Sequence, residues 1–325
     1  MNDELGMTAQ QKVNTFQKDD KFEGFLLVRS SEKRTGSNGS PYLDLTLSDN
    51  SGDINAKVWN AMQEAPETGT VKKLRGIVTE FNGRLQFRVE KFRDATSEDE
   101  IDLSQLVASA PEKPETMLQR IYDTLDAMRN ETLQKVVRWM VDDIKEKLLY
   151  YPAAQRLHHA ERSGLLHHIT SMLNVAEALI SCYPSLDGDL LKAGVIVHDL
   201  GKVLEMDSDE YGNVKDYTRD GLLLGHLVRG VSRVRKAAEV AGIPQEDEYL
   251  LLLEHMILSH HGIAEYGSTR PPMFPEAEML HFIDVMDARM NEMGGILARI
   301  PEGVFSEKIW SLDRRLYHPM YRKEP

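Results

Sequence analysis

Five histidines and two aspartates follow one another through the second half of the chain and together could bind metal ions. They are His168, His198, Asp199, His226, His260, His261 and Asp284. Imidazole and carboxylate groups suit Mn, Fe, Co, Ni or Zn better than Mg or Ca. Six or seven ligands are enough for two metals that keep open positions for water and substrate. The series therefore predicts a two-metal hydrolase site.

The centre of this series is an apolar run, residues 193–197, that ends in His198 and Asp199 and is followed by Lys202. Burying such groups is costly unless something compensates, and a divalent cation is a common compensation. Neighbouring side chains on a helix point about 100° apart, so the pair can serve one metal from two directions, or the carboxylate can bridge two metals. Lys202 lies three positions after Asp199 and shares its face.

The remaining candidates lie on separate helical segments, as a site in the middle of a helical bundle requires. His168 follows Gly164 at the start of one predicted helix, and His226 begins another. The doublet His260-His261 ends a third, with Gly262 at a plausible C′ position. A last helix carries Asp284 and Asp287, one turn apart, on one face.

Histidines outside the series are expected to be structural, because a lone imidazole is more often packed or solvated than bound to metal. This applies to His167, His255, His281 and His318. For His158 and His159, which come just before the first ligand helix, two interpretations stay open. They could line the site, or they could hydrogen-bond to a ligand and orient it.

The ordered set of histidine, His-Asp, histidine, His-His and aspartate resembles the HD-domain metal-dependent phosphohydrolases. The resemblance implies that Asp284, the first acid of the Asp-x-x-Asp-Ala pattern, is a ligand, and that Asp287 is a local hydrogen-bonding residue. It implies two divalent ions; we expect manganese, with iron, cobalt, nickel, zinc or magnesium as alternatives.

Length and composition set the limits of the interpretation. With 325 residues the chain is long enough for two domains. Its single cysteine, Cys182, excludes an intramolecular disulfide and fits a reducing compartment. The N-terminus lacks a basic and apolar signal, and no stretch approaches the ~18 apolar residues of a membrane helix. We expect a soluble cytoplasmic protein without a membrane partner.

The negative charge is unevenly distributed. The whole chain carries −13, but residues 10–95 hold 14 Lys and Arg against 12 Asp and Glu, whereas residues 96–325 hold 25 against 38. Some of the C-terminal acidity is ligand carboxylate, which bound metals would offset locally. The net charge therefore does not exclude a nucleic-acid partner.

Alternating apolar and polar residues in the N-terminal region indicate half-buried strands. Five are predicted, at residues 22–28, 42–47, 54–59, 74–81 and 85–89, with Asn82-Gly83 as a tight hairpin turn. Five short strands in about 80 residues suggest a small closed barrel of the OB type. The predicted fold is thus an all-β OB-type barrel (10–95), a polar linker (96–114) and an all-α HD-domain bundle (115–325).

The same alternation predicts which side chains face outward. If Leu43, Leu45 and Leu47 fill the barrel, then Tyr42, Lys57 and Trp59 share an outer face that could stack bases and pair with phosphates. The basic side chains that could extend this face are Arg29, Lys33, Arg34, Arg84 and Arg88. The alternative is that these are ordinary solvated charges and that Trp59 caps the barrel or packs on the second domain. OB surfaces also bind proteins and sugars.

An OB-type barrel followed by an HD domain is similar to the YhaM-type 3′-to-5′ exoribonucleases over nearly the whole chain. The matching stretches are residues 42–49, 158–168, 198–202, 224–226, 259–262 and 284–288. The resemblance implies metal-dependent hydrolysis of single-stranded RNA, and of DNA as an alternative, to nucleoside monophosphates. In this scheme Asp199 and Lys202 are the catalytic residues: two metals polarise the phosphate and activate a water, and Lys202 neutralises the growing charge.

Two other interpretations remain open at this stage. The chain could hydrolyse a small nucleotide such as a dNTP, an alarmone or a cyclic dinucleotide, although the Gly-Tyr-Pro signature of the last class is missing after His260-His261. It could also be a nucleic-acid-binding protein without catalysis. The basic and aromatic tail, residues 312–323, could line the approach to the metals or form a homo-oligomer contact.

Overall fold

The computed structural model describes residues 10–36, 39–96, 98, 99, 101–155 and 158–320, with the backbone alone of residue 266. The chain divides between residues 109 and 110 into two compact units. This division falls inside the predicted linker 96–114, whose exact limits stay a prediction. Part of that segment contacts the first unit: the backbone N–H of Asn50 donates to the Gln105 carbonyl at 3.0 Å.

The first unit is a closed five-stranded barrel, as the sequence predicts. Its strands are β1 (Lys21–Thr35), β2 (Pro41–Asp49), β3 (Gly52–Trp59), β4 (Val71–Phe81) and β5 (Arg84–Asp94). They close in the order β1-β2-β3-β5-β4, and β3 pairs with β5 in the parallel sense. The other pairs are antiparallel, and this order places β2 and β3 side by side.

Alternating side chains of these strands fill the barrel. Leu43, Leu45 and Leu47 of β2 are at most 1% exposed, and β3 adds Ile54, Ala56 and Val58 from the same side. The pleat of a strand sends neighbouring residues to opposite faces, so the burial of one set confirms that the other set faces outward. Phe16, Phe22 and Phe87 are also part of this core.

The predicted hairpin turn is confirmed. Asn82 and Gly83 join β4 to β5, and both have positive φ, 51° and 73°. A two-residue turn with positive φ at both positions matches the right-handed twist of the strands it connects. Asparagine and glycine are the residues that adopt this conformation at least cost.

The second unit is helical and contains the larger core. Its helices are α1 (Pro114–Asp126), α2 (Glu131–Asp142), α3 (Lys145–Leu148), α4 (Gly164–Cys182), α5 (Gly188–Val197), α6 (Lys202–Glu205), α7 (Arg219–Ala241), α8 (Glu248–Ser259) and α9 (Pro275–Leu297). The helix α5 is buried among them, which explains why its residues 190–197 are apolar apart from the half-buried Lys192. The helix α5 therefore delivers its C-terminal end to the middle of the unit.

Two features of this unit were not predicted. A short hairpin of β6 (Met206–Ser208) and β7 (Val214–Tyr217) separates α6 from α7. The chain after α9 folds back through isolated bridges that pair Phe305 with Tyr317 and Ile309 with Arg314. The predicted basic and aromatic tail thus has folded structure up to residue 320, and residues 321–323 lie outside the described residues. Within the described chain, no helix is both long and apolar enough to cross a bilayer.

The alternation within β2 predicts that Leu45→Ala will destabilise the barrel and leave the helical unit unchanged. Removing a buried leucine side chain costs about 2–5 kcal/mol, whereas Leu85→Ala, at a position 40% exposed in the hairpin, should cost less than about 0.5 kcal/mol. Hydrogen–deuterium exchange by mass spectrometry measures the opening free energy of barrel and helical peptides separately. Equal effects of both variants on the barrel peptides would contradict the assigned inward face.

Candidate metal centre and nucleic-acid face

The seven predicted ligand residues come together in one place within the helical unit. His168 lies on α4, His198 caps the end of α5, Asp199 follows it in a turn, His226 lies on α7, His260 and His261 follow α8, and Asp284 lies on α9. Segments more than 100 residues apart in sequence thus supply one cluster. The His-Asp doublet differs from the expected helical pair, because it lies at a helix end and in the turn beyond it.

The cluster consists of two groups that share Asp199. The side chains of His168, His198 and Asp284 place ligand atoms within 4.8 Å of one another, and those of His226, His260 and His261 do the same. One carboxylate oxygen of Asp199, Oδ2, lies 3.3 Å from His198 Nε2 and 3.8 Å from His168 Nε2. The other oxygen, Oδ1, lies 3.5 Å from His226 Nε2 and 3.7 Å from His260 Nε2.

Several polar atoms of this cluster are buried and find no hydrogen-bond partner among the described residues. They are Nε2 of His168, His198, His226 and His260, and Oδ1 of Asp199. Such atoms normally have partners, and each one left bare carries a desolvation cost. Converging imidazole nitrogens and carboxylate oxygens are the donors that first-row divalent metals bind. The residues present therefore fit a pair of divalent cations.

Hydrogen bonds on the far sides of the rings fix which nitrogen faces the cluster. Nδ1 of His198 lies 2.8 Å from the Val195 carbonyl, and Nδ1 of His260 lies 2.8 Å from the Ile257 carbonyl. A carbonyl can only accept, so each Nδ1 carries the proton and each Nε2 presents a lone pair inward. Both contacts arise because the histidines sit at helix ends, where carbonyls three residues earlier are free.

Asp287 orients His168 from outside the cluster. Its Oδ2 lies 2.7 Å from His168 Nδ1 and 2.8 Å from His159 Nε2, and its Oδ1 accepts a hydrogen bond from Ser171. Both oxygens are thereby engaged away from the two groups around Asp199. A carboxylate behind a ligating histidine holds the ring and raises its basicity. This placement agrees with the expectation that Asp287 is a local hydrogen-bonding residue.

Glu205 contacts His226 from outside the cluster, and the sequence analysis did not identify it. Its Oε2 lies 2.9 Å from His226 Nδ1, and its Oε1 accepts from the His226 backbone N–H at 3.3 Å. The glutamate ends α6, one turn after Lys202. The only sign of Glu205 in the sequence is its position three residues after Lys202. A solvent-exposed glutamate could occupy the same position, so the sequence does not identify this contact.

A break in α7 aims His226 at the cluster. Gly225 has φ 69° and ψ 170°, a conformation outside the helix on both angles, and His226 starts the helical path again. This region of backbone space is essentially restricted to glycine. The predicted helix start at His226 is therefore produced by a kink inside a longer helix.

The charges of the cluster compensate one another. Burial would raise the pKa of the Asp199 carboxyl, but Lys202 and His198 outweigh burial and hold that pKa well below its ordinary value. Lys202 Nζ lies 2.7 Å from Asp199 Oδ2. For His168, burial lowers the pKa, yet the carboxylates of Asp284 and Asp287 raise it to about 9.

The histidines expected to be structural each have a local hydrogen-bond partner. His167 pairs with Glu161, His281 with the His260 carbonyl, and His318 with the Ile300 carbonyl, while His255 accepts from the Met273 backbone N–H. His158 differs, because its ring centroid lies 5.7 Å from that of His168. Burial, together with the nearby Lys202 charge, lowers the pKa of His158 to about 3.

The outer face of the barrel carries an aromatic pair. Tyr42 of β2 is directly opposite Trp59 of β3, and their ring centroids are 4.9 Å apart at 32°. Trp59 is 52% exposed. In the described structure its ring therefore presents a free surface, which is what a stacked base needs.

The basic residues of this face are less available than their sequence suggests. Lys57 is 14% exposed at its side chain and pairs with Asp44 at 2.6 Å. Arg34 contacts Glu32 at 2.7 Å and the same Asp44 at 3.2 Å. Arg88 lies opposite Lys57 on β5 and is exposed, and Arg29 is exposed on β1 with its Nε donating to Ser48 Oγ.

Comparison with family models agrees with this division into a barrel and a metal centre. Residues 158–289 match the HD domain model, and residues 26–95 match the model of an OB-fold nucleic acid binding domain. All seven proposed ligands lie within the residues that match the HD domain model. The chain thus has an OB-fold domain followed by an HD domain, which indicates a metal-dependent phosphohydrolase. The two domains together suggest a nucleic-acid hydrolase.

Three solved structures are similar to parts of the chain. The second OB-fold domain of replication protein A from Methanococcus maripaludis is 17% identical, with 28% of this chain and 98% of that chain covered and a TM-score of 0.23. A replication protein A heterotrimer bound to ssDNA is 16% identical, with 38% and 87% covered and a TM-score of 0.21. Aspartyl tRNA synthetase from Entamoeba histolytica is 9% identical, with 52% and 35% covered and a TM-score of 0.20. Likenesses of this size say nothing about the ligand of the barrel.

The glycine break in α7 predicts that Gly225→Ala weakens metal binding. An alanine in this conformation costs about 1–3 kcal/mol. We expect the backbone to relax toward a helical conformation, which would turn His226 away from Asp199. We expect Mn²⁺ affinity, measured by calorimetry on chelator-treated protein, to fall about 10-fold or more. Gly242→Ala is the matched control: it caps the same helix at φ 68° with open space around it. If the control weakened Mn²⁺ binding equally, the aiming role of Gly225 would be wrong.

Proposed function

We propose that this chain is a metal-dependent exonuclease that removes nucleoside monophosphates from the 3′ end of single-stranded RNA, with single-stranded DNA as a second substrate. The observation that carries the proposal is the shared position of Asp199, one oxygen toward each histidine group. A carboxylate between two metal positions is suited to in-line displacement at phosphorus. The OB-fold domain on the same chain supports a nucleic-acid substrate.

His168, His198 and Asp284 would hold one ion, His226, His260 and His261 the other, and Asp199 would contact both. The donor set suits Mn, Fe, Co, Ni or Zn better than Mg; among these we expect manganese, with iron, cobalt, nickel, zinc or magnesium as alternatives. When bound, two such ions supply Lewis-acid activation of the phosphate and of the attacking water. Asp287 and Glu205 keep the His168 and His226 rings in the orientation that binding requires.

Lys202 supplies a fixed positive charge at this site. Its side chain is 13% exposed, and its ammonium nitrogen lies 2.7 Å from Asp199 Oδ2. Burial alone would lower the pKa of Lys202, but the Asp199 carboxylate raises it, so the side chain stays charged. A fixed cation beside the reacting phosphate stabilises the negative charge that grows on its oxygens. We therefore assign Asp199 and Lys202 as the catalytic residues of the chain.

The barrel would bind the strand through Tyr42 and Trp59. Ring stacking tolerates any base, which an enzyme that degrades successive nucleotides needs. Arg88 and Arg29 are the cations of this face that we expect to contact phosphates, and the Lys57 and Arg34 charges contribute less because Asp44 already pairs with both. The 3′-to-5′ direction and the preference for RNA rest on the likeness to the YhaM-type exoribonucleases.

The direct test is a time course on 5′-labelled single-stranded RNA, with Mn²⁺ or with EDTA, beside a copy blocked by a 3′-phosphate. A metal-dependent ladder that shortens from the 3′ end, and that is delayed on the blocked copy, is the expected result. Intact RNA with every metal, together with hydrolysis of a dNTP or another small nucleotide, would replace the proposal by a small-nucleotide phosphohydrolase. If RNA stayed intact and no nucleotide were hydrolysed, the result would favour a nucleic-acid-binding protein without catalysis.

Two single variants should separate chemistry from strand binding. Asp199→Ala removes the ligand common to both metal positions, so hydrolysis should fall to background while single-strand binding, measured in EDTA, is unchanged. Trp59→Ala removes a stacking surface worth about 1–3 kcal/mol per base, so binding should weaken roughly 5- to 150-fold while dinucleotide cleavage is unchanged. Tyr183→Ala, an exposed aromatic of the helical unit, is the control. Equal loss of both functions in both variants would contradict this division.

A further inference from the structure

A third group of potential metal ligands lies beside the proposed two-metal centre. His159, Glu161 and His167 direct ligand atoms toward one point, and none of the three belongs to the set around Asp199. His159 Nδ1 lies 3.1 Å from His167 Nδ1, His167 Nδ1 lies 2.8 Å from Glu161 Oε1, and His159 Nδ1 lies 3.7 Å from that oxygen. We propose that these residues form a separate binding site for a zinc-like divalent cation.

The spacing of the three atoms fits tetrahedral coordination. Zinc binds histidine nitrogen and carboxylate oxygen at roughly 2.0–2.2 Å, so two ligands of a tetrahedral ion lie roughly 3.3 Å apart. The three measured separations lie on both sides of that value. Two histidines and a glutamate leave a fourth position, and His167 and Glu161 are 24% and 22% exposed at their side chains. Solvent therefore reaches two of the three side chains.

The protonation of His159 also fits a metal ligand. Its Nε2 lies 2.8 Å from the Asp287 carboxylate, which can only accept, so Nε2 carries the proton. In the neutral ring Nδ1 then presents a lone pair toward His167 and Glu161, and the Asn291 amide nitrogen lies 3.2 Å from it as a donor. A histidine whose other nitrogen donates to a carboxylate has the arrangement usual for ligating histidines.

The Asn291 amide can donate to His159 Nδ1, but hydrogen bonds do not explain why the Nδ1 atoms of the two histidines also lie 3.1 Å apart. His167 Nδ1 faces both His159 Nδ1 and Glu161 Oε1, but the nitrogen carries at most one proton. That proton can point well at only one of its two neighbours. A cation at the common point would satisfy all three atoms together.

Asp287 connects this site to the two-metal centre. One carboxylate oxygen, Oδ2, contacts both His159 Nε2 and His168 Nδ1, at 2.8 and 2.7 Å. A cation that holds the His159 ring also holds this oxygen, and with it the orientation of His168. The third site is thus placed to stabilise a ligand of the centre without entering it.

Metal stoichiometry tests the proposal independently of any substrate. Chelator-treated protein is equilibrated with Zn²⁺ by dialysis, and bound zinc is measured by mass spectrometry for the full-length chain and for His167→Gln and Glu161→Gln. Each variant should bind one equivalent fewer than the unaltered chain. His255→Gln, at a histidine outside every ligand group described here, should bind the full amount. Two variants at different ligands guard against the loss of fold in one, which circular dichroism detects.

A second arm separates this site from the proposed centre. Asp199→Ala removes the ligand shared by both positions of the centre and should still bind at least one zinc equivalent, and one equivalent should be lost when His167→Gln is added. Zinc content that is the same in the unaltered chain, His167→Gln and Glu161→Gln would overturn the third site. That result would leave the proposed nuclease function untouched, because neither residue belongs to the set around Asp199.

Discussion

The carboxylate of Asp199 is the group on which the helical unit depends. It is 2% exposed, and its two oxygens face two different sets of histidine nitrogens. An ionised group removed from water costs several kcal/mol unless charge and hydrogen bonds compensate. Lys202 compensates one oxygen, and Oδ1 has no hydrogen-bond partner in the described part of the chain. The packing of α4, α5, α7, α8 and α9 around this point makes sense as a shell built to hold cations.

The residues that converge on Asp199 could be named from the sequence because their chemistry is visible at the level of residue order. An apolar run that ends in His198-Asp199, and a doublet followed by Gly262, has few structural explanations. The groups that orient the ligands could not be found in the same way. Glu205 contacts the His226 ring and Ser171 donates to the Asp287 carboxylate, and only tertiary packing brings these groups together. The backbone of Gly225 was equally hidden, because an interrupted helix and a new helix have the same hydrophobic pattern.

For the barrel too, the sequence predicted the faces of the strands but not the contacts between side chains. Strand alternation predicted the inward residues and the outward set, because a pleated strand has only two faces. It could not predict which outward charges neutralise each other. Lys57 and Asp44 are 13 residues apart in sequence and become direct neighbours only through the β2–β3 register. Side chains that looked like a basic track are in this way partly converted into internal ion pairs.

This pairing on the barrel has a consequence for how a polyanion would be held. Each phosphate that a protein cation neutralises releases condensed counterions, and this release makes binding steeply dependent on ionic strength. Lys57 and Arg34 already have carboxylate partners, so at these two residues a strand lying across Tyr42 and Trp59 would release fewer counterions than two unpaired cations would. Stacking on the two rings would add affinity that salt does not screen. Under the proposed function, binding of single strands would therefore depend less steeply on ionic strength than binding to a surface whose cations are all unpaired.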